Sequence, residues 1–108
     1  MSYQGNVNVN VTVNGENQAI TATHSNVAVT NASTILLSEN FNRKYLLLVN
    51  NSDTIIFINL NGAATVGQGI PLHPNGSYEM SANYITTSGI QAIHNATGEK
   101  TILITEGV

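Results

Sequence analysis

Polar and β-branched apolar side chains alternate without a fault over residues 6–13, Asn-Val-Asn-Val-Asn-Val-Thr-Val, and the run stops at Asn14-Gly15. Successive side chains of a strand point to opposite faces, so Val7, Val9, Val11 and Val13 share one face and Asn6, Asn8, Asn10 and Thr12 the other. Asn-Gly tolerates the positive φ values of a type I′ turn and predicts a hairpin. The strand carries no Pro, no Lys and no inward charge, the devices that keep an edge from pairing with another chain. It is expected to be paired, by its own sheet or by a neighbour.

Period-two alternation resumes over residues 19–23 and 27–30, and His24-Ser25 between them reads as a turn. Residues 33–38 predict a buried strand, followed by a polar turn at 39–43 whose one aromatic, Phe41, is expected to tuck back on the core. Residues 45–49 and 54–60 are continuous apolar runs, joined by a turn at Asn50-Asn51-Ser52-Asp53, and they predict strands buried on more than one face or central in a sandwich. Residues 61–69 are small and Gly-rich and read as a loop. Pro71 confines 70–72 to an edge. His73-Pro74-Asn75-Gly76 predicts a tight turn with positive φ supplied by Asn-Gly. Strands are predicted at 77–80, 84–87, 90–94 and 101–105.

No window shows an apolar stripe of helical period. Short strands with turns between them predict an all-β fold, an antiparallel β-sandwich, jelly-roll-like or Ig-like, with an N-terminal β-hairpin or arm. The composition shifts near residue 31, from Asn/Val/Thr alternation to a Leu/Ile/Tyr-richer core. The chain therefore divides into residues 1–30, an N-terminal strand or hairpin arm, and residues 31–108, the sandwich body. The first strand remains open to two readings: a free arm, or the first strand of the sandwich.

At 108 residues the chain is one domain, long enough to bury a core without staples. It has no Cys, which excludes disulfides and thiolate metal sites. No apolar run approaches a membrane span and no secretion leader is visible, so a soluble chain made in the cytoplasm is expected, with no membrane partner. Charged residues make up 8% of the chain against about 25% in an ordinary domain. Three Lys+Arg against six Asp+Glu give no basic stripe to neutralise phosphates, so no nucleic-acid partner is expected. A weakly charged Asn/Thr surface suits a protein packed against others.

The search for chemistry finds little. His24, His73 and His94 lie far apart, without a second ligand at metal-site spacing, and read as exposed turn or strand residues. The six carboxylates sit mostly in or beside turns, and no Ser has a base and oxyanion hole at hand. Residues 62–69 match neither dinucleotide nor P-loop signatures. No catalytic residue, metal or cofactor is expected. Five Asn-x-Ser/Thr sequons, at Asn10, Asn31, Asn50, Asn75 and Asn95, reflect composition. There is no Trp. Tyr45 and Tyr78 fall in predicted strands, which leaves Tyr84 as the best candidate contact surface, for a protein or a sugar ring.

From Arg43 onward, the order of features resembles small β-sandwich virion accessory proteins of tailed bacteriophages, of the head decoration (cement) or head-fibre type. The matching elements are Arg-Lys-Tyr-Leu-Leu-Leu-Val-Asn-Asn-Ser (43–52), the strand ending in Asn-Gly-Ala-Ala-Thr (61–65), Gly-Ile-Pro-Leu-His-Pro-Asn-Gly-Ser (69–77), Gly-Ile-Gln-Ala-Ile (89–93) and a closing Thr-Glu-Gly (105–107). The resemblance covers residues 33–107. It implies a non-enzymatic structural protein on the capsid surface of a virion, bridging subunits of the major capsid protein, as a homo-oligomer with a homotrimer favoured at three-fold positions. Its alternative is a head-fibre, tail-fibre or baseplate module binding host-surface carbohydrate. Val7, Val9, Val11 and Val13 lie outside the matched region and are the expected oligomer- or capsid-binding positions, added to a neighbouring sheet through main-chain bonds.

Overall fold

A computed structural model describes the backbone of residues 8–13 and 16–108, and side chains from Ala19 onward except Ala82. Val7 and the turn at Asn14-Gly15 lie outside the described residues. Nine strands form: β1 (Asn8–Val13), β2 (Glu16–Val29), β3 (Thr34–Leu37), β4 (Tyr45–Asn50), β5 (Ile56–Asn59), β6 (Ile70–Leu72), β7 (Ser77–Ser81), β8 (Ile90–His94) and β9 (Lys100–Gly107). A 3₁₀ turn, η1 (Ala82–Tyr84), follows β7. No helix among the described residues is long and apolar enough to cross a membrane.

The strands pair in a nested series, β5 with β6, β4 with β7, β3 with β8 and β2 with β9, all antiparallel. This is one long hairpin rolled on itself. Rolling adds the contacts β4–β9 and β5–β8, and produces two sheets in the orders β1-β2-β9-β4-β7 and β3-β8-β5-β6. The result is an antiparallel β-sandwich of jelly-roll type, with β1 added to one sheet.

Alternate residues of the facing strands fill the core. Leu46 and Leu48 of β4, Ile102 and Ile104 of β9 and Val29 of β2 meet Ile56 and Ile58 of β5, Ile90 and Ala92 of β8, Leu36 and Leu72. Of the two readings of the apolar runs at 45–49 and 54–60, the structure has the central position: β4 and β5 each lie between two strands of their sheet and bury every second residue. A sandwich has one interior, so Leu47 and Phe57 lie on the outer faces and are only partly covered by neighbouring side chains.

Two segments read as separate in sequence are one strand. β2 runs unbroken through His24-Ser25, which sits at mid-strand opposite Thr105 and Ile104 and not in a turn. Glu16 to Thr21 pair with β1, and Ala22 to Val29 pair with β9. With Val29 fully buried and Ala22 to Val29 paired with β9, the second half of β2 packs into the sandwich.

At the far end, the His73–Gly76 turn closes with a Gly76 N–H to His73 O bond of 2.8 Å. Pro74 takes its second position and Asn75, at φ 63°, alone supplies the positive φ. Asn50 is fully buried where a turn residue was predicted. Its Nδ2 donates to the carbonyls of Thr54 (2.7 Å) and Leu72 (2.8 Å) and its Oδ1 accepts from the Ser52 hydroxyl, tying the β4–β5 loop to the end of β6 and closing that sequon to modification.

Candidate interaction surface

One pole of the sandwich is organised around a buried charge. Arg43 is 2% exposed, and its Nε donates to Glu106 Oε2 at 2.8 Å. Its Nη1 donates to the carbonyls of Thr86 and Ser88, both at 2.9 Å, and Nη2 to that of Ser38 at 2.8 Å. A guanidinium offers donors in a planar fork, so one side chain satisfies three chain segments while Glu106 balances its charge. The carbonyls of 86 and 88 are thereby turned inward, and the strand predicted at 84–87 does not form. Tyr84 instead ends η1.

The loop between β3 and β4 is pinned to the same frame. The Asn40 N–H donates to Thr87 O at 2.8 Å, and its Oδ1 accepts from the Asn42 N–H at 3.0 Å. This Asx turn leaves Phe41 at its apex. Phe41 is 78% exposed and does not tuck into the core, because Arg43 and its carbonyl partners occupy the interior beneath the loop.

The β1/β2 hairpin leaves the sandwich at this pole. Thr21 exchanges both backbone bonds with Val108, at 2.9 and 3.1 Å, so the odd residues of β2 bond toward β9. The even residues Glu16, Gln18 and Ile20 therefore bond toward β1, where Val13, Val11 and Val9 are their register partners. The N–H and C=O groups of Asn8, Asn10 and Thr12 point off the outer edge of β1, which pairs with β2 alone. Ile20 anchors the hairpin's base. It is 2% exposed and lies over Gly107, where an added Cβ would overlap Ile20 Cδ1 and stand 2.9 Å from Tyr45 Cβ.

β1 passes beside η1, so the structure brings the candidate strand and Tyr84 to the same end of the molecule. Tyr84 is 84% exposed, and Val108 is also partly exposed. Tyr84, Phe41, Val108 and the open edge of β1 thus gather at one pole. Of these, Phe41 and Val108 escape the sequence reading. An Asn-Phe-Asn tripeptide, with Asx-turn formers on both sides of an aromatic, is the signal that points to an outward Phe41.

The titratable groups do not converge. His24 stands on the outer face of β2 with Nδ1 2.9 Å from Thr105 Oγ1, beside an open depression of about 330 Å³ lined by Ser25, Asn26, Leu103, Ile104 and Thr105. His73 is in the turn at the opposite pole. His94 was expected to be exposed but is fully buried. It shares the inward face of β8 with Ile90 and Ala92, a position that alternation places inside. Its Nδ1 accepts from the Ala96 N–H at 3.0 Å, which fixes the proton on Nε2, and Nε2 donates to Val29 O (3.0 Å) and Gly98 O (2.9 Å). It is a structural clamp between β2 and the 95–99 turn. Among the described residues, no three His, Asp or Glu side chains gather as metal ligands, and every buried side-chain N or O is hydrogen-bonded.

Among the described residues, two ionisable groups are perturbed. Partial burial, then a hydrogen bond to Glu79, pushes Tyr45 up to about 12. The Lys100 ammonium, 2.8 Å away, and the Thr54 hydroxyl hold Asp53 below the usual carboxylate range at the pole opposite Arg43.

No protein-family model matches the chain, and no curated protein matches it in sequence. Among solved structures, the chain is similar to one from Bacillus endospore appendages, described as forming "a novel family of disulfide-linked pili". The TM-score is 0.53 at 11% identity, over 99% of this chain and 95% of that one. At that identity the likeness is one of fold. This chain has no Cys with which to form a disulfide link.

Proposed function

We propose that this protein is a non-enzymatic structural component of a bacteriophage virion, a capsid decoration or cement protein, acting as a homo-oligomer with a trimer favoured. The reading is supported most by the β1 pole, where an uncharged strand with an open edge lies with the exposed aromatics Phe41 and Tyr84 on a frame stiffened by Arg43. Aromatic side chains are enriched among the residues that carry binding energy, and strand addition to an open edge is a recurring mode of protein recognition. The ordered features over residues 33–107 supply the phage attribution. The attachment is passive: binding only the assembled shell stabilises that shell by mass action.

The pilus-forming neighbour favours a second version, in which copies join into a fibre on the head. The two versions part on one experiment. Purified protein is added to capsid shells lacking it, and separately concentrated alone. Saturable addition to shells, lost on deletion of residues 1–15 while the β-rich circular dichroism is kept, is the expected result. Polymerisation alone without shell binding selects the fibre. Failure of both overturns the assembly reading, and a truncation that unfolds the domain makes β1 a core strand.

A further inference from the structure

The four edge strands of the sandwich are not protected alike. In the four-stranded sheet, β6 has three residues with Pro71 at its centre, and β3 has four residues with a register break between Ile35 and Leu37. Proline, shortness and bulges are what blunts an edge against foreign strands. The edges of the other sheet, β1 and β7, have none of these. β1 has six residues and β7 five, both in unbroken register with their inner neighbours.

The open groups of β7 follow from its pairing. The Asn50 N–H donates to Gly76 O, and with the register Leu48↔Tyr78 and Leu46↔Met80 the even residues of β7 bond toward β4. Ser77, Glu79 and Ser81 therefore direct their N–H and C=O groups away from the sheet, and all three are exposed. We infer that β7 of one copy is the acceptor for β1 of a second copy, so that the five-stranded sheet continues from subunit to subunit. This rests on the reading of β1 as an assembly element.

Three observations select this pairing. Residues 6–13 carry no charge, so β1 meets Glu79 without repulsion, whereas β7 against β7 would bring two Glu79 carboxylates together. β1 against β1 would leave β7 of every copy open, and only β1 against β7 satisfies both edges. A two-stranded ribbon is marginal in water, so the six-residue extension of β2 with β1 gains most from a third strand. The contact is head-to-tail, which closes into a ring at three copies or runs on as a filament.

The absence of Cys makes cross-linking clean. Full-length protein carrying a single Cys at Asn8, Asn10 or Thr12 is mixed with protein carrying a single Cys at Ser77, Glu79 or Ser81, and mildly oxidised. Mixed β1–β7 disulfides are expected, in at least tenfold excess over β1–β1 products. The second variant is Glu79→Pro, at a position whose N–H has no partner within the sheet. It should keep the circular dichroism and weaken self-association at least tenfold. Exclusive β1–β1 cross-links, no cross-link at all, or unchanged association of folded Glu79→Pro would overturn the inference. Shell binding without β1–β7 cross-links defeats this inference alone, and β1–β7 cross-links without shell binding defeat only the virion reading.

Discussion

Arg43 shows how much one residue decides at this pole. Its charge is tolerated inside because Glu106 neutralises it and three carbonyls take its remaining donors. Arg43→Ala strands those groups together and is expected to cost about 3–5 kcal/mol, read as a fall in the urea midpoint at unchanged slope. Tyr45 makes a prediction in pH. Its folded-state value is raised from 10.0 to about 12, so its contribution is complete below pH 10. As pH rises further, the unfolded chain loses the proton first, and the contribution fades until the folded value is passed. Stability should therefore fall between about pH 10 and 12 by more in the native protein than in Tyr45→Phe, measured by urea unfolding across that range. Neither role is visible in the sequence. Arg43 closes a stretch that reads as a polar turn, and only the folded positions of Ser38, Thr86, Ser88 and Glu106 bring it inside.

At the scale of elements, β2 is the informative case. Alternation locates its two halves, 19–23 and 27–30, but the polar His24-Ser25 between them reads as a turn. The strand survives there because β9 supplies the ladder through Ile104 and Leu103. The hairpin's attachment depends on Gly107, whose missing side chain makes room for Ile20. Gly107→Ala should cost about 1–3 kcal/mol by overpacking, and Ile20→Val in that background should recover part of it, read by thermal unfolding. Amide exchange at Thr21 and Val108, which share the last backbone pair before the hairpin, should quicken in the same variant.

Across the whole molecule, the apolar core and the exposed strand edge occupy different places. The core runs through the body of the sandwich, and the far pole is locked by Asn50 and His94. The opposite pole carries the open strand and the exposed aromatics. Phe41→Ala with Tyr84→Ala should leave the unfolding midpoint nearly unchanged, since each substitution at an exposed site stays within about 0.5 kcal/mol. Affinity for shells lacking the protein should fall at least tenfold, measured by co-sedimentation. Equal losses of stability and binding would show the two rings to be structural.

Strand character over most of the chain and the turn at His-Pro-Asn-Gly follow from the chain itself. They rest on local preferences of backbone and side chain, with period two as the carrier. The sequence by itself also set apart the Val/Asn strand as uncharged and unguarded. The tertiary structure alone decided the jelly-roll pairing, the burial of Arg43 and His94 and the meeting of Tyr84 with β1. Each of these joins residues distant in sequence, and their free energy lies in contacts that exist only once the sheets have closed on one another.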